Sequence, residues 1–184
     1  MNELNKLLGL EPYKGGLINA LRVRSKIFVS YHHGGDQLYY DLFSKLFHDK
    51  YEVVRDNFLE RIIQSDDTEY VMRQIREKYI TGTSCTIILI GAHSHERKYL
   101  DWEIKATLDK CHGLVGVVLP NHVTNYLGEI IVPNRFLTNV KTGYAVWTHW
   151  DGLTAHGLTT LIDAANAKSK FLIDNSPPLK QRNG

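Results

Sequence analysis

A chain of 184 residues, 43% of them hydrophobic, is long enough for one globular domain with a sizeable core and short extensions. Its 22 basic and 20 acidic residues give a formal net charge of +2 and are scattered, which argues against a nucleic-acid partner or an anionic membrane face. No basic segment leads into an apolar run at the start, and no apolar stretch nears the roughly 20 residues that span a bilayer, so a soluble, cytoplasmic protein is expected.

Residues 1–25 mix apolar and basic side chains around Gly15-Gly16 and are expected to form an N-terminal extension ahead of a domain over 26–173. Residues 26–30 read as a short buried strand. Residues 36–50 read as a helix with Leu38, Leu42, Phe43, Leu46 and Phe47 at helical spacing. A second strand over 51–54 leads into a long connection, 55–67, with a helical turn through Phe58, Leu59, Ile62 and Ile63. The next helix, 68–80, places Val71, Ile75 and Tyr79 on one face, starts after Asp66-Asp67 and stops at Gly82.

Residues 83–90 are apolar almost throughout and predict a central strand covered on both faces. The helix that follows carries Leu100, Ile104, Leu108 and Cys111 as one stripe, with Glu103 about 60° to its flank, where an acid can face a cleft without entering the core. Trp102 lies off that stripe, as a surface or interface aromatic or a ligand contact. Gly113 is expected to end the helix, 114–119 to form a fourth strand, and 121–142 to be loop with a short element at 130–132. A fifth strand over 144–150, a last helix over 157–168 and a flexible tail over 174–184 complete the chain. Cys85 and Cys111 both fall in apolar settings where a reduced thiol packs.

Repeating strand and helix units predict a parallel sheet, whose ligands bind beyond the carboxyl ends of the strands. Two loops sit there: Ser30-Tyr31-His32-His33-Gly34-Gly35-Asp36 after the first strand, and Gly91-Ala92-His93-Ser94-His95 after the third. A phosphorylated receiver would need an aspartate at the third strand end, a dinucleotide fingerprint three spaced glycines, and a phosphate loop a Gly-Lys-Ser or Gly-Lys-Thr; none occurs. His32, His33, His93 and His95 could converge with Asp36 on zinc, but no fixed ligand spacing supports it and no metal is expected. Gly34-Gly35 reads as a flexible turn, and Tyr31 either stacks on a planar ring or closes the core edge.

Three motifs in order, Lys26-Ile-Phe-Val-Ser-Tyr-His32, the strand ending at Gly91, and Arg97-Lys-Tyr-Leu-Asp-Trp-Glu-Ile104, resemble the bacterial TIR-like (Toll/interleukin-1 receptor-like) family. The likeness is closest to the TIR-like proteins of Thoeris antiphage defence and covers about residues 26–119. The resemblance implies an α/β, flavodoxin-like, doubly wound fold: a five-stranded, mostly parallel sheet with helices on both faces. It also implies cleavage of the nicotinamide–ribose bond of NAD, with NAD as substrate and no separate cofactor. Glu103 would be the catalytic residue with Trp102 beside it. Ser30, Tyr31, His32, His33 and Gly34 would line the nucleotide cleft, with Asp36, His93 and Ser94 joining from the two strand-end loops. The product would be a cyclic ADP-ribose isomer that activates a separate effector protein, and the chain could self-associate. The usual Ser-x-Trp-Cys becomes Tyr99-Leu-Asp-Trp102, with the aromatic directly before the acid and Asp101 in place of a neutral neighbour. A non-catalytic TIR-like interaction module, anchored through Trp102, and a metal-dependent hydrolase are the alternatives.

Overall fold

The computed structural model describes residues 25–55 and 67–184. The expected N-terminal extension and the helical turn expected within 55–67 lie outside the described residues. The apolar runs become five strands, β1 (Ser25–Ser30), β2 (Tyr51–Arg55), β3 (Cys85–Ile90), β4 (Gly113–Val118) and β5 (Val146–His149). They form a single sheet in the order β2-β1-β3-β4-β5, and every neighbouring pair is parallel. Every residue of β3 and β4 is buried, as continuous apolar strands at the centre of a parallel sheet require. Strand order reverses between β1 and β3, so the crevice at their carboxyl ends is the switch point where such sheets bind ligands.

Five helices cover the sheet among the described residues: α1 (His33–Phe47), α2 (Thr68–Ile75), α3 (Lys98–Asp109), α4 (Asn134–Lys141) and α5 (Ala155–Asn166). Side chains alternate across each strand and split the core in two. Ile27, Val29, Ile87, Leu89, Val115 and Val117 meet Tyr40, Phe43 and Phe47 of α1 and Leu158, Ile162 and Ala165 of α5. On the opposite face Phe28 packs with α2 and with Trp102 and Ala106 of α3. Ile88, Ile90, Leu114 and Val118 there meet Leu100, Ile104 and Leu108 of α3 and Phe136 of α4. Gly116 of β4 admits the Phe136 ring, since a Cβ would lie 2.4 Å from its Cζ. The flavodoxin-like, doubly wound arrangement is thus present, with a sheet that is wholly parallel. Among the described residues no helix is long and apolar enough to cross a membrane.

Several elements differ from the sequence reading. Helix α1 begins at His33, three residues early: His32 is its N-cap, and its carbonyl accepts from Asp36 N at 2.8 Å and Gly35 N at 3.2 Å. Its buried face is Asp36, Tyr40, Phe43 and Phe47. Leu38, Leu42 and Leu46 turn outward, at 67%, 40% and 61% exposure, because the larger aromatics take the core. Asp67 caps α2 by accepting from Tyr70 N at 3.1 Å, and the helix runs on through a π turn, Arg76–Ile80, to Gly82 at φ +87°. Cys111 leaves the expected stripe: it follows the end of α3 with φ +56° and is exposed, while Gly113 opens β4 instead of closing the helix.

Helix α4 lies in what reads as loop, since Arg135 and Asn139, both fully buried, interrupt the apolar period that would reveal it. The expected flexible tail, 174–184, has no helix or strand, yet it is tied down along α3. Arg135 donates to Asn175 O at 3.1 Å and Pro178 O at 3.2 Å, Lys180 N to Asp101 Oδ2 at 2.9 Å, and Lys98 N to Asn183 Oδ1 at 2.9 Å. Trp102 is only 5% exposed and donates Nε1 to Lys180 O at 2.9 Å, so it is a core residue of α3 instead of a surface aromatic.

Candidate functional site

Helix α3 is fixed to the sheet before its acid is placed. Ser94 closes the turn after β3 by accepting from Gly91 N at 2.9 Å and donating to Leu89 O at 3.1 Å. Thr107 donates to Glu103 O at 2.8 Å and pairs with Thr86 of β3 at 2.7 Å. Glu103 itself is 1% exposed, and Ser30, the buried last residue of β1, donates its hydroxyl to Glu103 Oε2. The carboxylate therefore hangs between the helix that carries it and the end of the neighbouring strand.

That carboxylate borders a small pocket lined by Tyr31, His32, His33, Arg97, Tyr99, Leu100 and Glu103. Tyr31 forms a wall held on both sides. Its ring stacks on Tyr40 at 4.4 Å, its hydroxyl donates to Gln37 Oε1 at 2.9 Å, and His33 leans on it at 4.3 Å. Gly34 and Gly35 lie inside the first turn of α1 with the His32 ring over them, where a Cβ on either would come within 3.1 to 3.2 Å of ring atoms. Gly34 thus makes room for an imidazole and is no flexible turn.

Of the expected site residues, Tyr31, His32, His33 and Glu103 line this pocket, and Ser30 stands behind it through its hydrogen bond to Glu103. Gly34, Asp36, His93, Ser94 and Trp102 do not line it. Asp36 is 1% exposed and sits over the β1–β3 crevice, against Gly91, where a Cβ would lie 2.1 Å from its Oδ1. That oxygen accepts from Asn121 Nδ2 at 2.8 Å, while Oδ2 has no hydrogen-bond partner among the described residues. Burial pushes the Asp36 carboxyl above its ordinary pKa, opposed in part by the Asn121 hydrogen bond and by His32. His93 turns to Glu96, Nδ1 to Oε2 at 2.9 Å. Among the described residues no group of three or more His, Cys, Asp or Glu is placed to hold a metal. The Cys85 thiol, pushed up to about 12 by burial, is unsuited to nucleophilic work.

Arg97, Tyr99 and Leu100 complete the lining without having been singled out for it. The signal was helical spacing: Tyr99 and Leu100 stand four and three residues before Glu103 and so share its face. Chemically, a fixed carboxylate among aromatic rings, shielded from water, is arranged to stabilise a cation that develops beside it.

A family model described as "Thoeris protein ThsB, TIR-like domain" matches residues 28–124, a little over half of the chain, from β1 through β4 and the loop beyond it. No curated protein matches the chain. The doubly wound parallel sheet, the acid at its switch-point edge and the extent of this match place the chain in the TIR-like domain family of the Thoeris protein ThsB, and so among the TIR-like proteins of antiphage defence.

Proposed function

We propose that this protein cleaves the nicotinamide–ribose bond of NAD and that Glu103 is its catalytic residue. The observation that carries the reading is the placement of one buried carboxylate, held by Ser30 of β1, on the pocket at the switch point of the sheet. The bonding pair of the breaking C–N bond leaves with nicotinamide, which is cationic in NAD and departs neutral without a general acid. The ribose carbon becomes oxocarbenium-like, and a carboxylate beside it lowers the energy of that charge. Water as nucleophile yields linear ADP-ribose, whereas attack by a ribose hydroxyl of the same molecule yields a cyclic isomer, the attacking hydroxyl or water losing its proton in either case. A cyclic product suits a diffusible signal to a separate effector, in the cytoplasm where NAD is found.

Chromatographic measurement of nicotinamide release from NAD tests the assignment. Glu103→Gln should lower the rate about 10²- to 10³-fold while melting near the native temperature, and an unchanged rate removes Glu103 from the reaction.

A second reading, a non-catalytic interaction module, draws on the exposed Leu38, Leu42 and Leu46 along one side of α1. Light scattering separates the two: a chain that assembles at high concentration and releases no nicotinamide in any assembly state is a module.

A further inference from the structure

Resting on that reading, we infer that Arg97 receives the diphosphate of the dinucleotide and so determines that the substrate is a nucleotide and not a bare nicotinamide riboside. Arg97 is the residue immediately before α3 and lines the same pocket as Glu103. Its Nε is buried without a hydrogen-bond partner among the described residues, and none of them forms an ion pair with its guanidinium. A buried N–H on a permanent cation left unmatched is costly, and such groups in folded proteins generally have a reason to be there. The nearest acid in sequence, Glu96, is bonded to His93 instead.

The other cationic side chain at the start of this helix, Lys98, lies over the Tyr99 and Trp102 rings at 5.0 and 5.5 Å and so is engaged elsewhere. Arg97 thus offers a planar fork of donors at the same pocket that the Glu103 carboxylate lines. A ligand that matches both charges carries a cationic centre and an anionic, multiply oxygenated group. A nicotinamide ribose diphosphate has both. The positive end of the α3 dipole borders the same lining through Tyr99 and Leu100 and adds to the preference for an anion.

The experiment compares native protein, Arg97→Leu and Arg97→Lys on two substrates, NAD and nicotinamide riboside, which lacks phosphate, and titrates each protein with ADP-ribose by calorimetry. Arg97→Leu should raise KM for NAD roughly ten- to a hundredfold, leave kcat near native and leave turnover of the riboside unchanged. Arg97→Lys, a point charge without the fork, should fall between. ADP-ribose binding should weaken by a similar factor in Arg97→Leu. Equal losses on both substrates, or native kinetics on NAD, overturn the assignment while the NAD reading stands. If no protein releases nicotinamide, the NAD reading falls and the calorimetry decides Arg97 alone: weaker ADP-ribose binding in Arg97→Leu supports it, and equal or absent binding overturns it.

Discussion

Two buried acids stand two residues apart on α3 and are used in opposite ways. Asp101 accepts from Arg135 Nε at 2.9 Å and Nη2 at 3.3 Å and from Lys180 N at 2.9 Å, so a fully buried guanidinium and the C-terminal segment absorb its charge. Glu103, about 200° further round the helix, takes the Ser30 hydroxyl and borders the pocket. Burial of a carboxylate therefore does not identify a site by itself. What separates the two is where the remaining oxygen surface points: into a network of structural donors, or towards a space a ligand can fill.

The sharpest way to break this contrast is on the structural side. Arg135→Ala strands Asp101 without its cation and releases Asn175 and Pro178, whose carbonyls accept from the same guanidinium. Breaking a buried pair of this kind costs about 3–5 kcal/mol, and the melting temperature should fall by roughly 10 °C. Melting within a degree or two of native would mean that the Asp101 side of α3 is not structural.

Ser30→Ala examines the other side more gently. It deletes one hydrogen bond to a charged acceptor and leaves Glu103 in place, so nicotinamide release should fall about tenfold, which is about 1.4 kcal/mol of barrier. The loss should appear in kcat with KM nearly native, because Ser30 orients the acid and does not line the pocket. A shift confined to KM would make Ser30 a binding residue and not a positioning one.

Much of this contrast is legible in the chain before any coordinates. The apolar runs that become β1, β3 and β4 fix the sheet, and the loop from Ser30 to Gly34 falls at its carboxyl edge because strand ends follow from strand limits. The acid at Glu103 follows from helix geometry together with the family likeness. What stays hidden is whatever polar residues do in the interior. Arg135 and Asn139 mask α4 because a buried guanidinium and amide look like surface in a hydrophobicity pattern. Trp102 looks peripheral because its cover comes from Lys180, 78 residues away, and no local period reports so distant a partner. Ser94 reads as a site residue by position, and only its two backbone hydrogen bonds show that it closes a turn.

The smallest expected effect concerns Asp36, the third buried acid near the switch point, which has neither the ion pair of Asp101 nor the pocket of Glu103. Its carboxyl is raised above the ordinary 3.8 chiefly by desolvation, against the opposing pull of Asn121, the His32 backbone and side chain, and His93. A folded-state pKa above the unfolded one means that the protonated acid favours the fold. Its contribution is fully present below the unfolded pKa and is lost as pH rises through the folded value. At neutral pH the carboxylate therefore works against the fold, and Asp36→Asn should stabilise the protein there. The neutral amide oxygen can keep the Asn121 donor, and its NH₂ replaces Oδ2, which has no hydrogen-bond partner among the described residues. A gain on the order of 1 kcal/mol, about 2–4 °C in melting temperature, should appear at pH 7 and vanish as the pH is lowered towards 4. A variant less stable than native at pH 7 would show instead that the charge of Asp36 is wanted by the histidines His32 and His93 beside it.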